Sequence, residues 1–387
     1  EAEDWNFTRQ RYWGIPVPLF INPDDPEDVI VAGSEDELRS MVDQDLDDDF
    51  DLHLLDNLTV TRGSTTYEPL GDVFDVWFDS GNVPYGSTHY PFENQELFEE
   101  HFPVSRINEA QDQIRGWFYS LMYVAAARME EKPYDTVSMP GWVMDKNGDK
   151  LSKSKGNFEP VPDLVEKHGA DNIRFYYCWD TDPGKEMKFD EATIEQESSE
   201  ALTTLWHLVQ YVKDAVSSVK DIEELDLLVE DQWVLNEAFE ATQDVKHGFD
   251  EFQIDRAGKG LYDFIVKDLS RTYVQLTRDR TRTDPTPYHV LGHAVLHATK
   301  LIAPITPHFS ETVYQELRSV LDVEAESVHL TRIPTETTPF EKHSDTDISK
   351  KMDIVQDVIT ATLAARDRLG RSIRWPVEQI VLNAEQG

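Results

Sequence analysis

Cysteine is nearly absent from this sequence: Cys178 is the sole one in 387 residues. No internal disulfide can form, and a zinc site built on cysteine thiolates is excluded. Apolar runs approaching about 18 residues are also missing, so no membrane-spanning helix is expected. The opening Glu1-Ala2-Glu3-Asp4 has neither the positive region nor the apolar stretch of a secretion signal. It carries no initiator Met either, and the expectation is a chain that begins inside a longer, cytoplasmic protein. Positive charge is scarce: 36 Lys and Arg stand against 75 Asp and Glu, a net charge of −39. Read by itself this argues against a nucleic-acid partner, because phosphate is bound by positive charge. The acid is dispersed over the chain, with a local cluster at Asp45, Asp47, Asp48, Asp49 and Asp51. That dispersal favours a halophilic cytosolic protein, since above about 1 M salt the Debye length is only about 3 Å and self-repulsion is screened. The other reading is an acidic protein that avoids nucleic acid.

What is present is the composition of a folded protein, 39% hydrophobic and 11% aromatic, long enough for two or three cores. Residues 5–90 mix short strand-like runs with turns. Ser34-Glu35-Asp36-Glu37 reads as a capping box opening a helix through Met41. A helix is expected over 112–132, stopped by Pro133. Strands are expected over 136–139 and 142–144, with a tight turn at Asp145-Lys146-Asn147-Gly148. A short helix over 162–168 ends on Gly169, and another starts at Ala170. From about Glu195 the period is helical: 201–220, 231–249, 255–279, 288–302 and 307–321 read as a bundle. A helix over 353–369 and a strand over 377–382 complete the pattern.

Four strings carry chemistry. Lys150-Leu151-Ser152-Lys153-Ser154-Lys155-Gly156-Asn157 is a flexible basic loop with small hydroxyl residues. It can close over a polyphosphate and neutralise charge in a phosphoryl transition state, and it lacks Walker A spacing; a plain solvated loop is the alternative. In Asn108-Glu109-Ala110-Gln111-Asp112-Gln113-Ile114-Arg115-Gly116-Trp117, a helix would put Glu109, Gln113 and Trp117 on one face. A carboxylate, an amide and an indole there suit an ammonium group beside an apolar side chain; a capped turn with a core Trp is the alternative. Asp75-Val76-Trp77-Phe78-Asp79-Ser80-Gly81 and Thr8-Arg9-Gln10-Arg11-Tyr12-Trp13-Gly14 are the other two.

Together these resemble class I aminoacyl-tRNA synthetases, and within them the isoleucine branch. The basic loop resembles the KMSKS signature with Leu151 in place of Met. The 109–117 string resembles E-G-x-D-Q-x-R-G-W, with Ala110 at the family's Gly, a departure that puts close backbone approach there in question. The remaining two resemble D-V-W-F-D-S-G and S-R-Q-R-Y-W-G, the latter returning from an inserted editing domain. Asp268-Leu269-Ser270-Arg271, the 301–308 segment and Ser327-Val328-His329-Leu330 resemble the anticodon-binding helices. The resemblance implies an α/β fold, the second half of a Rossmann-like catalytic domain, followed by an all-α bundle. The implied domains are 1–160 catalytic, 161–198 stem-contact, 199–345 anticodon-binding, and 346–387 the start of a further α/β region.

The resemblance also implies function and roles. The activity would be ATP-dependent activation of isoleucine and its transfer to tRNA(Ile), with Mg²⁺ accompanying ATP. Lys150 and Lys153 would be catalytic. Asp112, Val143, Lys150, Ser152 and Lys153 would bind ATP, and Trp77, Glu109, Gln113 and Trp117 would bind isoleucine and its adenylate. No H-I-G-H segment occurs, so that half of the site and the editing domain are expected earlier in the parent protein, and the isolated chain is expected to be inactive. Where many archaeal relatives bind zinc through cysteine pairs, Asn22, Asp24, Thr61 and Ser64 stand, with His53 alone nearby; no metal is expected. The alternatives are a valine or leucine enzyme, or a non-catalytic tRNA-binding module. A partner with phosphates needs basic islands, and two qualify: Arg271, Arg278, Arg280 and Arg282, then Arg366, Arg368, Arg371 and Arg374, each a local +3. Chance spacing, with the arginines paired to nearby acids, is the competing reading.

Overall fold

The computed structural model describes residues 4–334 and 340–381, without the side chains of Lys153 and Thr346. It falls into two compact units, Glu1–Pro140 and Gly141–Gly387. The break lies ahead of the expected boundary at 160, so the KMSKS-like loop belongs to the second unit.

In the first unit, β1 (Thr8–Arg9) pairs antiparallel with β6 (Val73–Phe74), which brings two of the sequence strings together. Arg9 then bonds the buried Asp75 at 2.6 Å. Asp75 also caps helix Val76–Gly81 by accepting from the Trp77 amide at 2.8 Å. Gly81 closes this helix onto helix Trp117–Met129: a Cβ there would sit 2.8 Å from the Ser120 carbonyl oxygen. Between β1 and β6 lies an antiparallel sheet of order β3 (Asp25–Val31), β2 (Leu19–Asn22), β5 (Thr65–Pro69), β4 (Val60–Arg62). Phe20, Ile30, Leu38, Leu55, Val60 and Tyr67 form its own core. Half of the expected capping box is formed: Ser34 Oγ accepts from the Glu37 amide at 3.2 Å, opening helix Glu35–Met41, while the Glu37 carboxylate accepts from the Gly33 amide at 2.8 Å and not from that of Ser34. A parallel pair, β7 (Val104–Asn108) and β8 (Tyr134–Ser138), is joined through helix Trp117–Met129 in a β–α–β unit.

The helix expected over 112–132 starts later. Residues Gln111–Arg115 form a 3-10 turn, and Gly116 at φ −133°, ψ −112° interrupts before the α-helix begins at Trp117. Periodicity alone could not show this, because the backbone at Gly116 breaks the helix without breaking the pattern.

In the second unit, β9 (Val143–Asp145) lies parallel to β10 (Met187–Phe189). Helix Val161–His168 ends at Gly169 with φ +79°, a conformation that favours glycine, and helix Ala170–Trp179 follows. The bundle comprises Ser199–Ala215, Val229–Asp250, Ile254–Tyr262, Thr286–Ile302 and Pro307–Leu317. Its core includes Leu205, Trp233, Leu261, Phe264, Leu291 and Val295. The single helix expected over 255–279 instead passes through π-turns at Asp263–Tyr273. Phe264, Ile265 and Val266 are all buried within this segment. Helix Thr346–Arg368 tethers to the bundle through Ile348 and Met352. The strand expected over 377–382 is not formed at 377–381, and Leu382 lies outside the described residues. No helix among the described residues is long and apolar enough to cross a membrane.

Candidate active site and RNA-facing surface

The first unit gathers one group of the candidate residues at the carboxyl end of β7, where ligands bind in open parallel sheets. Glu109 follows the strand directly, exposed, its amide donating to the Ser138 carbonyl at 3.3 Å. Ala110 has φ −69°, ψ 163°, extended backbone that alanine adopts without strain. Around Gly116 the side chains converge. A Cβ there would lie 2.7 Å from Gln113 Oε1 and 3.4 Å from Trp77 Cη2, so a side chain would displace the Gln113 carboxamide and touch Trp77. Gln113 Oε1 accepts from the Trp117 amide at 3.0 Å, and its Nε2 donates to Asp112 at 3.2 Å. The Trp117 indole donates to the Ser80 carbonyl at 3.1 Å. Trp77 is 42% exposed, a large apolar face open to a ligand. Glu109, Gln113 and Trp117 therefore do not share one helix face as expected. Gln113 is spent capping the helix that Trp117 begins, while Glu109 and Asp112 stand exposed at the rim, Asp112 accepting from Gln113. Burial, and secondarily Asp75, push the Asp79 carboxyl upward in this corner.

In the second unit, β9 leads into the basic loop. Val143, expected at ATP, is the first residue of β9 and faces Met187 in the ladder. Lys150 lays its ammonium 5.2 Å from the centre of the Trp142 ring, a cation–π contact. Asp145 organises the turn, accepting from the Asn147 and Asp149 amides and from Asn157 Nδ2, each at 2.9 Å. These bonds, that from Asn157 foremost, lower the Asp145 carboxyl below its ordinary range. Ser152 Oγ lies 2.8 Å from Ser154 Oγ. The side chain of Lys153 lies outside the described atoms. Asp145 and Asn157 are the residues that reading the sequence for charge missed; the available signal was an Asn directly after the loop's closing glycine.

The arginine islands divide. Arg280 is surrounded by Glu230, Asp231 at 2.5 Å and Asp284 at 3.2 Å, with its side chain only 15% exposed. It is a structural cation and cannot turn to a phosphate, because leaving would strand the fully buried Asp231. Arg271 pairs with Glu200 at 2.6 Å and Arg282 with Asp279 at 3.2 Å. Arg366 donates to the Ser372 and Trp375 carbonyls. Arg278, Arg368, Arg371 and Arg374 are exposed and have no ion pair among the described residues.

Residues 1–190 match the family model for class I tRNA synthetases (I, L, M and V), and 231–382 match the anticodon-binding domain of tRNA ligases. The chain belongs to the class I aminoacyl-tRNA synthetases. This synthetase chain is 36% identical to the isoleucine–tRNA ligase of Natronomonas pharaonis, with all of the chain and 37% of the relative aligned. It is 35% identical to that of Haloarcula marismortui over 100% of the chain and 37% of the relative. For Methanothermobacter marburgensis the figures are 36%, 99% and 38%. The chain thus spans under two-fifths of the length of these curated relatives. LeuRS of Agrobacterium radiobacter, solved in a ternary complex with tRNA and LeuAMS, superposes with a TM-score of 0.66 at 18% identity, covering 89% of this chain and 43% of that one. Methionyl-tRNA synthetase of Mycobacterium tuberculosis, bound by methionyl-adenylate, gives 0.54 at 20% identity over 63% of this chain and 50% of that one. At such identities these likenesses establish the fold, an α/β region followed by helices.

Proposed function

We propose that the full-length protein is an isoleucine–tRNA ligase of the cytoplasm. The isoleucine carboxylate attacks the α-phosphate of ATP, pyrophosphate leaves, and the resulting adenylate passes its isoleucyl group to the 3′ end of tRNA(Ile). What supports the reading is the cluster around Gly116, where Trp77, Gln113 and Trp117 converge beside Glu109 and Asp112, in a chain that aligns throughout with isoleucine–tRNA ligases.

The roles divide by chemistry. Trp77 and Trp117 offer apolar surface for the isoleucine side chain, and Glu109 a carboxylate for its ammonium group. Gln113 orients Asp112 towards the ribose. Lys150, Ser152 and Lys153 meet the ATP phosphates, with Val143 at the base of the nucleotide. No covalent enzyme intermediate is required; the protein positions reactants and stabilises developing charge. The H-I-G-H half of the site comes from the rest of the full-length protein. Mg²⁺, where bound, neutralises phosphate charge. The one three-residue imidazole–carboxylate cluster among the described residues is His168, Glu191 and Glu195, and Lys167 already pairs with both glutamates. It does not fit a Mg²⁺ site for the reaction, and no step is assigned to the ion.

We propose no zinc in the β2–β5 sheet. Asn22 donates to Asp28 at 3.0 Å, Thr61 Oγ1 to Asp43 at 2.9 Å, and His53 stacks on Trp13 at 4.3 Å, so packing and hydrogen bonds hold this module. The dispersed acid fits a halophilic source, and Arg278 and Arg371 are the proposed phosphate contacts to tRNA. The test is Lys153→Ala in the full-length protein. Pre-steady-state adenylate formation should slow by about 2–4 kcal/mol of barrier, the range for one lost transition-state contact; an unchanged rate removes the loop from the phosphate site.

A further inference from the structure

The contacts that hold the basic loop come from a residue with no charge. Asn157 makes three of them. Its Nδ2 donates to Asp145 Oδ2 at 2.9 Å and to the Lys150 carbonyl at 3.2 Å, and its Oδ1 accepts from the Ser152 amide at 2.9 Å. The chain reaches this position through Gly156, whose φ of +68° turns the backbone back on the loop's beginning. Asp145 needs no help to close its own turn, since its Oδ1 already takes the Asn147 and Asp149 amides. The bonds of Asn157 therefore serve a different end. They tie the last residue of the loop to the backbone on both sides of Leu151.

We propose that Asn157, braced by Asp145, is a positioning residue for ATP activation: it sets the backbone from which Lys150 and Ser152 project. This rests on the reading that the loop meets the ATP phosphates. One carboxamide fixes the Lys150 carbonyl and the Ser152 amide together, so the segment Lys150–Ser152 is held in one shape. The lowered carboxyl of Asp145 is consistent with a full negative charge facing the carboxamide. Removing the donor while keeping the shape would put two carboxylates against each other and release the Lys150 carbonyl. A misplacement of about 1 Å at a reacting group costs roughly 100-fold in rate.

The experiment uses the full-length protein and three changes: Asn157→Asp, the exchange Asp145→Asn/Asn157→Asp, and Lys153→Ala. Asn157→Asp should slow adenylate formation roughly 10- to 100-fold while leaving KM for isoleucine unchanged. The exchange restores a donor facing an acceptor at one of the three contacts: the carboxamide at 145 donates a hydrogen bond to the carboxylate at 157, which still accepts from the Ser152 amide, while the Lys150 carbonyl stays without its donor. Part of the lost rate should return. An exchange variant no faster than Asn157→Asp overturns the proposal. So does a parallel rise in isoleucine KM with a fall in melting temperature, which would mark a general folding role. If Lys153→Ala is slow and Asn157→Asp is not, the positioning role fails and the phosphate loop stands. If Lys153→Ala is unimpaired, the loop does not meet phosphate and both readings fall.

Discussion

Asp268 should destabilise this protein as pH rises, and Asp268→Asn should remove the effect. The carboxyl sits in the π-turn segment Asp263–Tyr273, and burial, reinforced by Glu237 and Asp263, pushes it up to about 8. Lys267 opposes the shift without cancelling it. Glu237, held by Ser349 Oγ at 2.6 Å, is itself raised by burial. In the unfolded chain an Asp ionises near 3.8. Between these values the unfolded chain has released a proton that the folded protein keeps. The unfolded state then binds fewer protons, so stability falls with rising pH across the window from about 4 to about 8. At about 1.4 kcal/mol per pH unit the ceiling is about 6 kcal/mol. Relaxation and water penetration around buried charge return part of this, leaving roughly 1–3 kcal/mol at pH 8. The carboxamide has the same shape and no proton to lose. At about 2–4 °C per kcal/mol, Asp268→Asn should melt roughly 2–12 °C above the parent at about pH 8, with little gain at about pH 4.5. Melting of both proteins is followed by circular dichroism at fixed molar KCl, since salt screens the neighbouring carboxylates. A gain independent of pH would refute the reasoning, because an unionisable cause would then be responsible.

Arg280→Ala should cost about 3–5 kcal/mol by leaving Asp231 buried without its cation; denaturant unfolding reads this, and a loss below about 1 kcal/mol would mean the carboxylates find other partners. Trp77→Ala and Trp117→Ala should each weaken isoleucine in ATP–pyrophosphate exchange by the full-length protein; unaltered KM and kcat in both would remove them from the pocket. Arg278→Gln and Arg371→Gln should each reduce the slope of log tRNA affinity against log KCl by about one unit if they touch phosphate, and unchanged slopes would place the RNA elsewhere.

The parts of this fold that sequence reveals are those decided by near neighbours. Ser34 and Glu37 lie three residues apart and form the cap their spacing demands. Gly169 stops one helix where its positive φ is needed, and the α-helices of the bundle follow their apolar period. The parts it hides depend on distant partners. Gly116 looks like an ordinary helical position until Trp77, thirty-nine residues earlier, is brought against it. The π-turns at Asp263–Tyr273 interrupt the α-helix without a break in the apolar pattern, so periodicity reads one helix there. Charge shows the limit most sharply. A window from Arg271 to Arg282 sums to +3, yet helix Val229–Asp250 delivers Glu230 and Asp231 to Arg280, and helix Ser199–Ala215 delivers Glu200 to Arg271. In a protein of net charge −39, acids outnumber bases twofold, so folding can bring a carboxylate to an arginine that looks free in the sequence. A local excess of cations therefore says little about phosphate. What matters is which arginines the fold leaves without a carboxylate; Arg278, Arg368, Arg371 and Arg374 are such residues, and Arg278 and Arg371 carry the proposal.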